Sequence, residues 1–159
     1  SHPEPADVYM EAANRLAELY QQADDTVKRD YWLRKQMGTV DRNPDAADDR
    51  MRYLAASASA ILAREALARY DSIRLTLPLN ESMAAKTDAL EGAVNAYKKT
   101  ASYGLSTFAT EAGYQIAHIY GRLGADLMDS ERPSGLSELE LAQYELLLEE
   151  QAYPFEDNW

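Results

Sequence analysis

Two ten-residue stretches, one hundred positions apart, share one pattern: Glu11-Ala12-Ala13-Asn14-Arg15-Leu16-Ala17-Glu18-Leu19-Tyr20 and Glu111-Ala112-Gly113-Tyr114-Gln115-Ile116-Ala117-His118-Ile119-Tyr120. In each, a small residue, an aliphatic, an alanine and a tyrosine fall at i, i+3, i+4 and i+7 (Ala13, Leu16, Ala17, Tyr20; Gly113, Ile116, Ala117, Tyr120), which is one face of an α-helix. Such a face has to be buried against other helices. The alanine in its middle lets a neighbouring helix approach closely, and a larger side chain there would overpack the contact by roughly 1–3 kcal/mol. Ala17 and Ala117 are therefore expected to be docking points.

The remainder of the chain reads as helices around these two. The first is expected over about Ala6 to Gln22, with Pro5 at its start and Glu4 and Asp7 near the positive end of the helix dipole. Asp24-Asp25-Thr26 supplies a turn and an N-cap for a second helix through about Met37, with Gly38 as its stop and Val27, Tyr31, Trp32, Leu33 and Met37 to bury. Asn43-Pro44-Asp45 reads as the start of a third, whose apolar residues recur at helical spacing from Ala47, Met51 and Leu54 through Tyr70 and Ile73 toward Leu75, about 30 residues. Leu77-Pro78-Leu79-Asn80 breaks it. A fourth helix is expected from about Glu81 to Tyr103, ending at Gly104, and a fifth, capped by Ser106, to about Asp129. Ser137 with Glu140 three residues on is a capping box opening the last helix. The expectation is an all-α chain of six helices in three antiparallel hairpins, about 6–38, 44–103 and 106–153, with the middle one extended and no strand signal.

Composition bounds the function. At 159 residues and 46% hydrophobic, the chain is long enough for one domain, taken as 1–159. It has no cysteine, so disulfides and thiolate metal sites are excluded. Its uncharged runs reach about eleven residues, as from Tyr53 to Ala63, short of the roughly 20 that a membrane span needs. A formal net charge of −11 argues against a nucleic-acid partner, because that grip depends on cations replacing counterions along phosphates. Eleven tyrosines against two phenylalanines suit a shallow core, where a ring is buried while its hydroxyl stays near water. The opening Ser1-His2-Pro3, with neither methionine nor an apolar leader, suggests a piece of a longer polypeptide.

The last helix has an unusual surface. At 100° per residue Leu139, Ala142, Leu146 and Tyr153 share one side, and Leu141, Tyr144, Leu148 and Ala152 share the nearly opposite one, with Glu138, Glu145 and Glu149 as an acidic stripe between. A helix with two apolar faces is suited to the inside of a stack. One face is thus expected to be bare, covered by the Tyr153–Trp159 tail, or used for self-association through Leu139, Leu141, Leu146 and Leu148. From Ser130 onward there are eight acidic residues and one basic, −7 of the total −11. This is a solvated helix side or a docking surface for a basic partner.

Catalytic patterns are absent. Neither His2 nor His118 follows a glutamate by three residues, as a di-iron bundle requires. Phosphate-loop, nucleophile-elbow and dinucleotide fingerprints are also missing. No cofactor, metal ligand or catalytic residue is assigned, and the chain reads as a non-enzyme.

The triplets Leu16-Ala17-Tyr20 and Ile116-Ala117-Tyr120 resemble the first helix of a tetratricopeptide repeat, and Ala93, Tyr97 and Thr100 resemble its second. Residues 6–38 have about the length of one such unit. The pattern departs from the family where Ala13 and Gly113 replace an expected aromatic, and where Arg29 and Gln36 stand at usual alanine positions. The stretch Ser137 to Phe155 is similar to the C-terminal segment of long bacterial repeat proteins of the cell envelope. The resemblance implies a right-handed solenoid acting as a non-catalytic protein-interaction scaffold, part of a larger bacterial repeat protein, periplasmic or envelope-associated. Family geometry then places Glu11, Asn14, Glu18, Gln21 and Gln22 on the concave face, with Glu111, Tyr114, His118, Gly121 and Arg122 in the later unit, facing an extended peptide or a partner helix. The first unit lacks the lysine and arginine set with which some relatives hold a C-terminal carboxylate. The alternative is a compact helical bundle with a structural or oligomerisation role.

Overall fold

Local capping signals set most of the helix boundaries. The computed structural model describes residues 5–156, so His2, Glu4 and the last residues of the proposed tail cover lie outside the described residues. The six helices are α1 (Ala6–Gln22), α2 (Thr26–Arg42), α3 (Asp49–Ser72), α4 (Leu79–Ser102), α5 (Ser106–Met128) and α6 (Glu138–Glu156). The protein is 83% helical, with no strand among the described residues. Asp24 takes a positive φ of 60° in the turn after α1, and the Asp25 carboxylate accepts from the Lys28 N–H at 3.1 Å to open α2. At α6 both halves of the capping box form, Ser137 N–H to Glu140 and Glu140 N–H to the Ser137 hydroxyl, each 3.2 Å. These bonds hold the Glu140 carboxyl below its ordinary range.

Six boundaries differ from expectation. Gly38 lies inside α2, which continues to Arg42 and stops at Asn43, held extended (φ −148°, ψ 70°) ahead of Pro44. Pro44–Ala46 is a single 3₁₀ turn, and α3 starts later, where the Asp48 carboxylate accepts from the Met51 N–H at 2.8 Å. α3 has 24 residues and ends at Ser72, short of Leu75. Near its end the Tyr70 and Ile73 carbonyls accept from Lys86 Nζ at 2.7 and 2.8 Å. Ser106 is the first residue of α5 and α4 begins at Leu79, two residues early; α6 runs on through Pro154.

The chain divides into two compact units, residues 1–65 with 96–112, and residues 66–95 with 113–159. In the first, α1 packs on α2. Met10, Val40, Met51, Leu54, Ala55, Ala56 and Tyr103 form one buried cluster, and Ala17, Leu33 and Ala58 another. Ala17 is thus a docking point, as its spacing implies. The most enclosed helix of this unit is α3: Leu54, Ala55, Ala56, Ala58, Ser59, Ala60 and Ala63 are all buried, covering about two-thirds of the directions around the helix. Small side chains let neighbours close in on all of them, and the Ser59 hydroxyl is satisfied by that of Thr100 at 2.8 Å. Val27 and Tyr31, expected to be buried, stay exposed, whereas Arg29 and Gln36 are buried. Both amide atoms of Gln36 are enclosed with no hydrogen-bond partner among the described residues. Gln36→Met, which keeps the length and removes the desolvated amide, is expected to raise the unfolding free energy by about 1–2 kcal/mol in urea titrations.

In the second unit Leu127, Leu148 and Ala152 form the buried centre, joined by Leu75, Leu79, Met83, Met128, Tyr144 and Phe155. On α5 the buried stripe is Ile119, Leu123 and Leu127, while Gly113 is exposed and Ile116, Ala117 and Tyr120 are half-buried. Ala117 is therefore not the enclosed docking point its spacing suggested. Burial of α5 is centred about one position away from the stripe of the first anchor.

Tyr70 is fully buried, its hydroxyl donating to the Ile119 carbonyl at 3.3 Å, and Tyr103 donates to Asp41 at 3.0 Å. Burial, reinforced by Asp126 at Tyr70 and Asp41 at Tyr103, pushes both phenols above their ordinary value near 10. A raised pKa means that the folded state keeps a proton the unfolded chain has already lost. The stabilisation is complete below pH 10 and falls as pH rises beyond it, by about 1.4 kcal/mol per pH unit for each tyrosine. Lys86, lowered by burial, acts in the opposite sense only up to its ordinary value of 10.5. Urea titrations from pH 10.5 to 12 are expected to show this decline, and Tyr70→Phe with Tyr103→Phe should flatten it.

Candidate interaction surfaces

The expected concave-face residues fall into two sets, one in each unit. On α1, Glu11 pairs with Arg50 of α3 at 2.8 Å, which lowers its carboxyl pKa, and Asn14 donates to Glu18 at 3.4 Å. Gln21 accepts from Arg29, Gln22 is exposed, and Glu111 pairs with Arg64 at 3.1 Å. Glu11, Gln21 and Glu111 thus hold neighbouring helices of their own unit. In the second unit Tyr114 is 67% exposed and stacks on half-buried His118, ring centroids 5.9 Å apart and nearly parallel. One turn on, Arg122 is tied to Asp71 at 2.8 Å, and Gly121 is buried.

Among the described residues, exposed large apolar side chains are concentrated on α6. Leu139, Leu146 and Tyr153 are 69%, 56% and 63% exposed. They recur every seven residues, so they form one stripe along the helix. The opposite face is the docked one, through Leu148 and Ala152, packed with half-buried Tyr144. Leu148 is therefore removed from the proposed self-association set, and Leu141 sits at the margin of exposure.

A groove missed by the sequence reading lies beside this docked face. Leu79, Met83 and Ala84 of α4 and Leu147 and Leu148 of α6 form its walls, with Leu127 of α5 among the lining side chains and a volume of about 610 Å³. Asp88 also lines it, and no lysine or arginine does among the described residues. The Tyr144 hydroxyl in its lining is buried with no hydrogen-bond partner among the described residues. The available signal was the four-residue spacing of Leu79, Met83 and Thr87 together with the adjacent Leu147-Leu148 pair.

Among the described residues no three His, Asp or Glu side chains cluster to hold a metal, and no helix is long and apolar enough to cross a membrane. By architecture the described residues form an all-α protein of six helices. Comparison with protein-family models, with curated proteins and with solved structures finds no match.

Proposed function

We propose that this chain is a non-catalytic protein-interaction module of tetratricopeptide type, its helices ordered as three hairpins. The observation that carries the interaction role is the α6 stripe of Leu139, Leu146 and Tyr153, three large apolar side chains left in solvent on a helix whose other face is docked. Large apolar side chains exposed along one helix face are candidates for an interaction site. The repeat reading draws support from α1 and α2, two 17-residue helices packed together across a short turn. On α5 the second triplet lies beside the buried stripe.

Affinity capture with the intact chain, with Leu139→Glu/Leu146→Glu and with Tyr114→Ala/Arg122→Ala tests the role. Loss of a reproducible partner in the first variant is the expected result. Equal recovery with all three chains removes both surfaces. The oligomerisation alternative is favoured by the same stripe and predicts mass growth in light scattering over a concentration series; a constant monomer mass eliminates it.

A further inference from the structure

We infer that the α4–α6 groove is a docking site for a basic amphipathic helix of another protein, an inference that rests on the interaction role proposed above. Its walls run from Leu79 to Asp88 on α4. At 1.5 Å per residue that length is on the order of 13 Å, enough for the i, i+3/i+4 and i+7 anchors of one docked helix. The apolar requirement comes from Leu79, Met83, Leu127, Leu147 and Leu148.

The sign of the partner comes from charge. Asp88 is the one charged side chain lining the groove among the described residues. α6 carries Glu138, Glu140, Glu145, Glu149 and Glu150, all exposed, and no cation. Lys86 of α4 is buried and donates to the carbonyls of Tyr70 and Ile73, and Arg132 is engaged by Glu145 and the Met128 carbonyl. Arg132 offsets Glu145 and Lys86 lies 3.9 Å from Asp126, so the remaining exposed Glu138, Glu140, Glu149 and Glu150 leave α6 with an excess of negative charge. A second copy docked by the same face would bring its own acidic helix against the groove, which charge repulsion disfavours, whereas lysines flanking an apolar stripe are complementary.

The test titrates the full chain into a fluorescent synthetic helix of about 18 residues, with leucines on one face and lysines on the other. Two control peptides carry the same composition with the leucines scattered, or glutamates in place of lysines. Two chain variants act at exposed groove positions, Ala84→Trp to fill it and Leu147→Glu to make its lip polar, each checked for unchanged circular dichroism. Binding of the leucine–lysine helix at least tenfold tighter than either control, weakened by added salt and reduced at least tenfold by each variant, is the expected result. Equal binding to the intact chain and both variants overturns the groove assignment while leaving the interaction role standing. No binding of the helix, with saturable binding of the neutral dye Nile red that Ala84→Trp abolishes, overturns it in favour of a small apolar ligand. If the helix binds as expected but no protein is captured by the intact chain, the broader interaction role fails independently of the groove's preference.

Discussion

Replacing Arg29 by methionine is expected to lower the unfolding free energy by about 3 kcal/mol, the first of the two largest losses foreseen for a single substitution. The guanidinium is buried and joins three helices of one unit: it donates to Gln21 of α1, to Asp30 of α2 at 2.9 Å, and pairs with Glu65 of α3. Methionine keeps most of the aliphatic stem, so the loss comes from charge. Without the cation, Asp30 and Glu65 keep their charges in a partly enclosed site, and Gln21 loses its donor. Removing one partner of a buried ion pair typically costs 3–5 kcal/mol, and the partial solvent access of both carboxylates places this case at the lower end. The check is a double-mutant cycle in urea: Arg29→Met with Glu65→Gln should recover a substantial part of the loss, because the second change removes the stranded charge. A loss below 1 kcal/mol would mean that the network is a surface pairing of little weight.

Leu127→Ala is the second, with an expected loss of about 2–5 kcal/mol. The side chain is fully buried and clusters with Leu148 and Ala152, through which α6 is docked. Truncation deletes apolar contacts and leaves a void, and the adjoining groove offers no atoms to collapse into it. Leu139→Ala on the same unit is the control: at 69% exposure it should change stability by no more than about 0.5 kcal/mol. Hydrogen exchange should show α6 amides losing protection in Leu127→Ala while those of α1 and α2 are unaffected, since α6 docks through this cluster. Comparable losses in the two variants would contradict the burial pattern.

Much of the helix layout was legible because its signals are local. Asp25, Ser137 and Glu140 act on backbone groups three residues away, and Pro44 restrains the residue before it, so spacing alone identifies these features. Gly38 misled because glycine within a helix costs only about 1 kcal/mol, which continued packing of α2 through Val40 outweighs. The start of α3 was misplaced because two aspartate-containing caps, Asn43-Pro44-Asp45 and Asp48, stand close together, and only the second leads into a helix whose apolar side is enclosed.

The site was legible in part for the same reason. The two apolar sides of α6 follow from its periodicity, and one of them is indeed exposed. Which side docks, and the groove formed with Leu79 and Met83 more than fifty positions earlier, depend on long-range packing that no local pattern encodes.

By itself the sequence determined helix, cap and charge: an all-α chain with no strand pattern, Ala17 at a close contact, and an acidic last helix with two apolar faces. Tertiary structure alone decided that alanine-rich α3 is enclosed in the first unit, that Arg29 is buried and paired, and that α5 buries Ile119 and Leu123 ahead of Ile116 and Ala117. The physical reason is that a helix repeat specifies which residues share a face, whereas the side covered is set by whichever neighbour encloses the most apolar surface. On α5, with apolar residues on adjacent faces, one residue of rotation about the helix axis decides between them.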